Sequence, residues 1–89
     1  MSHYVFPPAR AYRLNKCLFA LKSDDGFRAR FLKDPERVMA EMGLSAEERA
    51  ALAAQDRDRL VALGAHPYLV FMAQFRLRME TDHSAFEYF

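Results

Sequence analysis

The chain has 89 residues, with 13 lysines and arginines against 12 aspartates and glutamates and a formal net charge of +1. Interleaved charges in that balance exclude the basic face that nucleic acid binding requires, and a hydrophobic share of 52% excludes a disordered chain. The single cysteine, Cys17, excludes an internal disulfide and a cysteine-based zinc cluster.

Residues 1–9, "MSHYVFPPA", read as an extended N-terminal arm, because Pro7 and Pro8 forbid helix there. From about Arg10 to Lys22 the pattern turns helical: Leu14, Cys17, Leu18 and Leu21 fall on one stripe of a 3.6-residue period. Cys17 on that stripe reads as a buried, inert thiol. Ser23 is the expected N-cap of a short helix over Asp25–Lys33, with Phe27 and Phe31 on one face. Asp34 and Pro35 restart the chain as cap and first helical residue. Val38, Met39 and Met42 form the next inner face, and Gly43 ends that helix as a left-handed residue.

"SAEE" at 45–48 is a capping box, with Ser45 at the cap and Glu48 three residues on. The fifth helix is expected from Ala46 to about Leu63, stopped by Gly64, with Leu52, Asp56, Leu60 and Leu63 as its inner stripe. Asp56 is the odd member. Either it pairs with Arg59 or Arg13 or caps a helix end, or it is a buried carboxylate that holds a neighbouring loop; both need a donor close by. The last helix starts at Pro67 after His66 and extends to about Glu80. Residues 81–89 form an aromatic C-terminal tail. The expectation is one all-α domain over residues 10–80, a compact irregular bundle of about five to six helices.

The segment "LGAHPYLVFMAQFRLRM", residues 63–79, carries the strongest signal. Tyr68, Phe71, Met72, Phe75 and Met79 make one stripe, and Leu69, Val70, Ala73 and Leu77 cover much of the remaining circumference. A helix apolar all round is buried on all sides, by its own core or in part by a partner. A domain this small buries only roughly 60–65% of the surface its unfolded chain exposes, and eight phenylalanines add to the surplus. Phe71, Met72, Phe75 and Met79 are therefore the candidate residues of a partner or dimer interface. At the helix start, His66 is either a plain cap or an imidazole placed where a substrate or partner meets it. Gly64, Pro67 and Asp56 have structural roles in this reading.

Metal chemistry on this chain has little support. His3, His66 and His83 form no paired motif, which leaves only a site gathered through space from His66, Asp56 and a terminal histidine. The glycines look like helix punctuation rather than a phosphate loop, and no nucleophile motif stands out. Neither a charged start with an apolar block nor a membrane-length apolar run is present, the longest being Tyr68–Ala73. A soluble, cytoplasmic chain without membrane contact is expected.

"YRLNKCLFALK", "FRARFLKDPERVMAEMGLSAEERAAL" and "AAQDRDRLVALGAHPYLVFMAQ" follow one another in order. Together they resemble the small (alpha) subunit of the protocatechuate 4,5-dioxygenase family of extradiol ring-cleaving enzymes, over roughly residues 10–77. The resemblance implies an all-helical accessory chain without catalytic residues or metal ligands of its own. In such enzymes the non-haem iron(II) belongs to the large subunit, and the small subunit lies over the mouth of that site. By position, His66 and Tyr68 are the implied lid residues of the substrate pocket. "GAHPY" replaces the family's usual Gly-Gly-Asn type of turn, and the chain looks like the short, free-standing members.

Three functions follow as expectations. The first is a non-catalytic accessory subunit that docks on a large iron(II) extradiol dioxygenase subunit and helps close its aromatic-diol site. The second is a free-standing helical interaction module, self-associating or partner-binding. The third is an independent enzyme using a metal gathered by its histidines.

Overall fold

The computed structural model describes residues 11–81. The expected arm, the tail beyond Thr81, His3 and His83 lie outside the described residues. Six helices follow in order: α1 (Tyr12–Ser23), α2 (Asp25–Lys33), α3 (Pro35–Glu41), α4 (Ala46–Ala53), α5 (Arg57–Ala62) and α6 (Pro67–Thr81). Among the described residues there is no strand, and no helix is long and apolar enough to cross a membrane.

Most helix boundaries follow the side chains that close them. The Asp24 carboxylate accepts the Phe27 N–H at 3.0 Å, and that of Asp34 accepts the Arg37 N–H at 3.3 Å. At Ser45 the box is complete: its hydroxyl accepts from Glu48 N–H at 3.1 Å, and the Glu48 carboxylate accepts from Ser45 N–H at 2.8 Å. The cap of α2 is thus Asp24 rather than the expected Ser23, which ends α1 instead. The longer reach of α1 by one residue moves the cap, and a carboxylate beside the helix N-terminus is also the better electrostatic choice.

The expected helix over Ala46–Leu63 is two helices. Its break carries no glycine or proline. Gln55 takes the left-handed conformation at φ 55, and the chain closes α4 with bonds from Gln55 N–H to the Leu52 carbonyl and from Asp56 N–H to that of Ala51. Gly43 and Gly64 close α3 and α5 with the same bond pair, at φ 73 and φ 110. Asp56 is consequently not part of an inner stripe. It is exposed and caps α5, its carboxylate accepting the Arg59 N–H at 3.1 Å. The reading of Asp56 as a helix cap is correct, and the buried carboxylate is not.

One core joins all six elements. Leu14, Cys17, Leu18 and Leu21 from α1 meet Phe31, Val38, Met39, Leu52 and Leu60, and Val70, Ala73 and Leu77 of α6 close it. α1 packs most extensively on α6. The buried Cys17 thiol is pushed up to about 12, chiefly by loss of solvent and further by the Glu48 carboxylate, so it is no nucleophile.

A single buried guanidinium ties the ends of three helices together. Arg28 is 2% exposed, and its Nη1 donates to the Leu21 carbonyl at 2.8 Å, capping the last turn of α1. It also pairs with Asp25, and its Nε reaches Glu80 Oε1 on α6 at 3.4 Å. Buried arginine is tolerated because each face of the fork has an acceptor. Its position between Phe27 and Phe31 was the signal in the sequence.

Candidate functional site

The turn between α5 and α6 is built around His66. Its carbonyl accepts the Val70 N–H at 3.0 Å, the first bond of α6, and its Nδ1 accepts the Tyr68 N–H at 3.1 Å. His66 is therefore the N-cap and Pro67 the first helical residue. A ring nitrogen that accepts an N–H needs a lone pair, so in the neutral ring the proton sits on Nε2. The side chain is exposed, and its Nε2–H is the group with which it can meet a ligand or partner.

Asn15 holds this turn from α1. Its Nδ2 donates to the Gly64 carbonyl at 3.1 Å and to the Ala11 carbonyl at 3.0 Å, while its Oδ1 accepts the His66 N–H at 2.8 Å. One amide thus satisfies both a donor and an acceptor of a turn about fifty residues away in sequence. Sequence reasoning missed it. The available signal was a poor helix former at the edge of the α1 stripe, where a short amide competes for backbone groups.

From this turn α6 presents two opposite apolar faces. Val70, Ala73 and Leu77 are buried. On the opposite side Tyr68 and Phe71 are each 54% exposed, Phe75 47% and Met79 43%; Met72 at the edge is half-buried. The core side needs small or medium side chains where α6 approaches α1, so the large ones are turned outward. Phe71 and Phe75 stack on each other, with ring centroids 6.2 Å apart and planes inclined by 18°.

The outward strip continues onto α1. Tyr12 and Phe19, seven residues apart on one helix face, are both exposed. Lys22 bridges the helices, its Nζ lying 5.1 Å from the Phe19 ring centroid and 5.9 Å from that of Tyr68. The two faces form one aromatic surface with an ammonium at its seam. Tyr12, Phe19 and Lys22 were not anticipated, because α1 reads from sequence as an ordinary amphipathic helix.

The family model described as aromatic-ring-opening dioxygenase LigAB, LigA subunit, matches residues 14–85. The chain belongs to that family. No curated protein and no solved structure matches it. The match begins inside α1 and runs past the end of α6, so the LigA-family region includes the Asn15-held turn and all of the aromatic surface but Tyr12.

Within this LigA-family chain, His66 and Tyr68 lie side by side at the head of α6, and Phe71, Phe75 and Met79 continue from them along the exposed face. Asp56 belongs elsewhere, at the head of α5. Among the described residues no group of three or more His, Cys, Asp or Glu is placed to hold a metal ion. The described donors thus do not fit an iron centre, and the Asp56 carboxylate and His66 Nδ1 each already hold a backbone N–H.

A shallow groove of about 310 Å³ lies toward the far end of α6, between Phe31, Leu32, Gln55 and Arg78. The Gln74 amide donates to the Gln55 carbonyl at 3.0 Å beside it, so the groove wall is the left-handed turn itself.

Proposed function

We propose that the chain is the non-catalytic accessory subunit of an aromatic-ring-opening dioxygenase. It docks its α1–α6 surface on the large catalytic subunit and helps to close that subunit's aromatic-diol site. The observation that carries this reading is the outward strip of α6: a member of a subunit family exposes its large apolar side chains opposite its own core. Such a strip is stable only when covered or tolerated at a cost, and aromatic and methionine side chains are what protein interfaces collect.

His66 and Tyr68 stand at the end of this surface on a turn held by Asn15. In the assembled enzyme they form the part of the lid that meets the substrate pocket. Tyr68 offers a ring face to an aromatic diol, and His66 offers Nε2–H to one of its oxygens. The lid's contribution is to exclude water and add wall area. Iron(II), on this reading, is held by the large subunit and supplies the oxygen chemistry there.

The test is to co-express the chain with any large ring-opening subunit encoded beside it and to measure ring cleavage with and without it. Co-purification together with a lower KM or a higher kcat supports the reading. Separate elution with unchanged cleavage overturns it.

A further inference from the structure

Charge is distributed unevenly over the fold. α1 contributes Arg13, Lys16 and Lys22 with no carboxylate, the Arg13 side chain lying against Gly43 at the end of α3, and α6 contributes Arg78 and Arg76, the latter paired with Asp25 of α2 at 3.8 Å, with only Glu80. That carboxylate is engaged by the buried Arg28. From Asp24 to His66, across α2 to α5, nine carboxylates outnumber seven cations. Among the described residues the cations left for the α1–α6 face are Lys16, Lys22 and Arg78, too few for the nucleic-acid face that the composition excludes.

The cations sit along the aromatic surface. Lys16 lies between Tyr12 and Phe19 at helical spacing on the outer face of α1, and Lys22 covers the seam between Phe19 and Tyr68. Arg78 follows Phe75 by three residues and is exposed. The result is an apolar centre of stacked rings with a cationic rim.

We propose that this face docks a carboxylate-rimmed protein surface with an apolar centre, and that a second copy of the chain is not its occupant. The proposal rests on the docking reading above and adds the chemistry of the partner's surface. A two-fold dimer through this face would bring the rim of Lys16, Lys22 and Arg78 together with the equally cationic rim of the other copy. Like charges at an interface disfavour the pairing, whereas opposite charges steer association and set register. A protein partner suits the face better than an anionic membrane. The rings are a stacked, oriented pair on a face that also carries methionine and arginine, residue types that protein interfaces collect, and the chain's family is one of enzyme subunits.

The experiment uses the full chain, alone and with the large ring-opening subunit. Sedimentation velocity of the chain alone at low salt should give a monomer. Affinity for the large subunit should fall about tenfold or more from low to high salt, and about tenfold for Lys22→Glu or Arg78→Glu. Arg37→Glu, on α3 and away from the face, should bind as the parent does. Circular dichroism verifies that each variant is folded; Arg78 is exposed, so its reversal tests the face even if Lys22→Glu unfolds.

A complex that is indifferent to salt and to both reversals, yet lost on Phe71→Asp, overturns the charge argument and leaves the docking reading standing. A dimer of the chain alone that Phe71→Asp dissolves makes the second copy the occupant and overturns the proposal. Retention on phosphatidylserine vesicles without a complex assigns the face to a membrane, with the same consequence. No complex under any condition removes the docking reading and the proposal together.

Discussion

Replacing Asn15 by leucine removes the amide that hydrogen-bonds α1 to the His66 turn while keeping the side chain's approximate volume. Three hydrogen bonds are lost: two to the turn at 2.8 and 3.1 Å, and one at 3.0 Å to the Ala11 carbonyl within its own helix. The two part-buried bonds from Nδ2 are each worth about 1 kcal/mol net, and the exposed one to His66 N–H, which water can replace, about half of that. Leucine returns about 0.4 kcal/mol through its better helix propensity. The expected loss of stability is about 2–3 kcal/mol. In a domain of this size that lowers Tm by roughly 10–20 °C, which thermal unfolding followed by circular dichroism reads directly. Asn15→Asp keeps the acceptor for His66 N–H but loses the donor to both the Gly64 and Ala11 carbonyls and turns a carboxylate oxygen toward them, so it too should be clearly less stable than the parent. A leucine variant within about 0.5 kcal/mol of the parent, a change typical of an uninvolved surface site, would refute the idea that this amide holds the turn.

Gln55→Gly should raise stability by about 1 kcal/mol, because glycine relieves the left-handed backbone at φ 55 that closes α4; a lower urea midpoint would show that the side-chain bond to the Leu52 carbonyl matters more. Burial pushes the Cys17 thiol from 9.0 up to about 12, so the folded chain keeps a proton that the unfolded chain releases. This contribution is complete below about pH 9 and is lost as pH rises to about 12, by at most about 4 kcal/mol. Cys17→Ala should flatten that alkaline decline in a pH series of urea titrations, and an unchanged slope would assign the decline to other groups. Arg28→Met should cost about 2–3 kcal/mol, mostly through the Leu21 carbonyl left without its buried donor, since the exposed Asp25 and Glu80 can turn to water. Phe71→Asp should leave the melting temperature within about 3 °C of the parent, because that ring is already half in water; a large drop would mean that the strip supports the fold itself.

Local signals carried much of the fold. Asp34-Pro35, the Ser45–Glu48 box, Gly43, Gly64 and His66-Pro67 each act through backbone groups a few residues away, so the sequence is sufficient to place them. The same locality explains the two misplaced features. At 23–24 two adjacent residues could both cap, and the extent of α1 decided between them. At 54–56 the chain turns through a glutamine, a residue without turn chemistry of its own, and the packing of both α4 and α5 on the core holds it there. Asp56 then changes from a misfit in one long stripe to the cap of a new helix.

The candidate surface divides along the same line. Its aromatic residues on α6, its capping histidine and its family are determined by the sequence alone, because composition, 3.6-residue spacing and residue order are properties of the chain. Which of the two apolar faces of α6 looks outward was decided only in three dimensions. Periodicity cannot rank two opposite apolar stripes; the close approach of α1 does, by admitting Val70, Ala73 and Leu77 and excluding the rings. The joining of Phe19, Lys22 and Tyr68 into one basic aromatic face, and the reach of Asn15 to a turn far along the chain, are likewise products of that helix pairing. Contacts between residues some fifty positions apart leave no periodic trace in a sequence, and the function proposed for this chain depends on them.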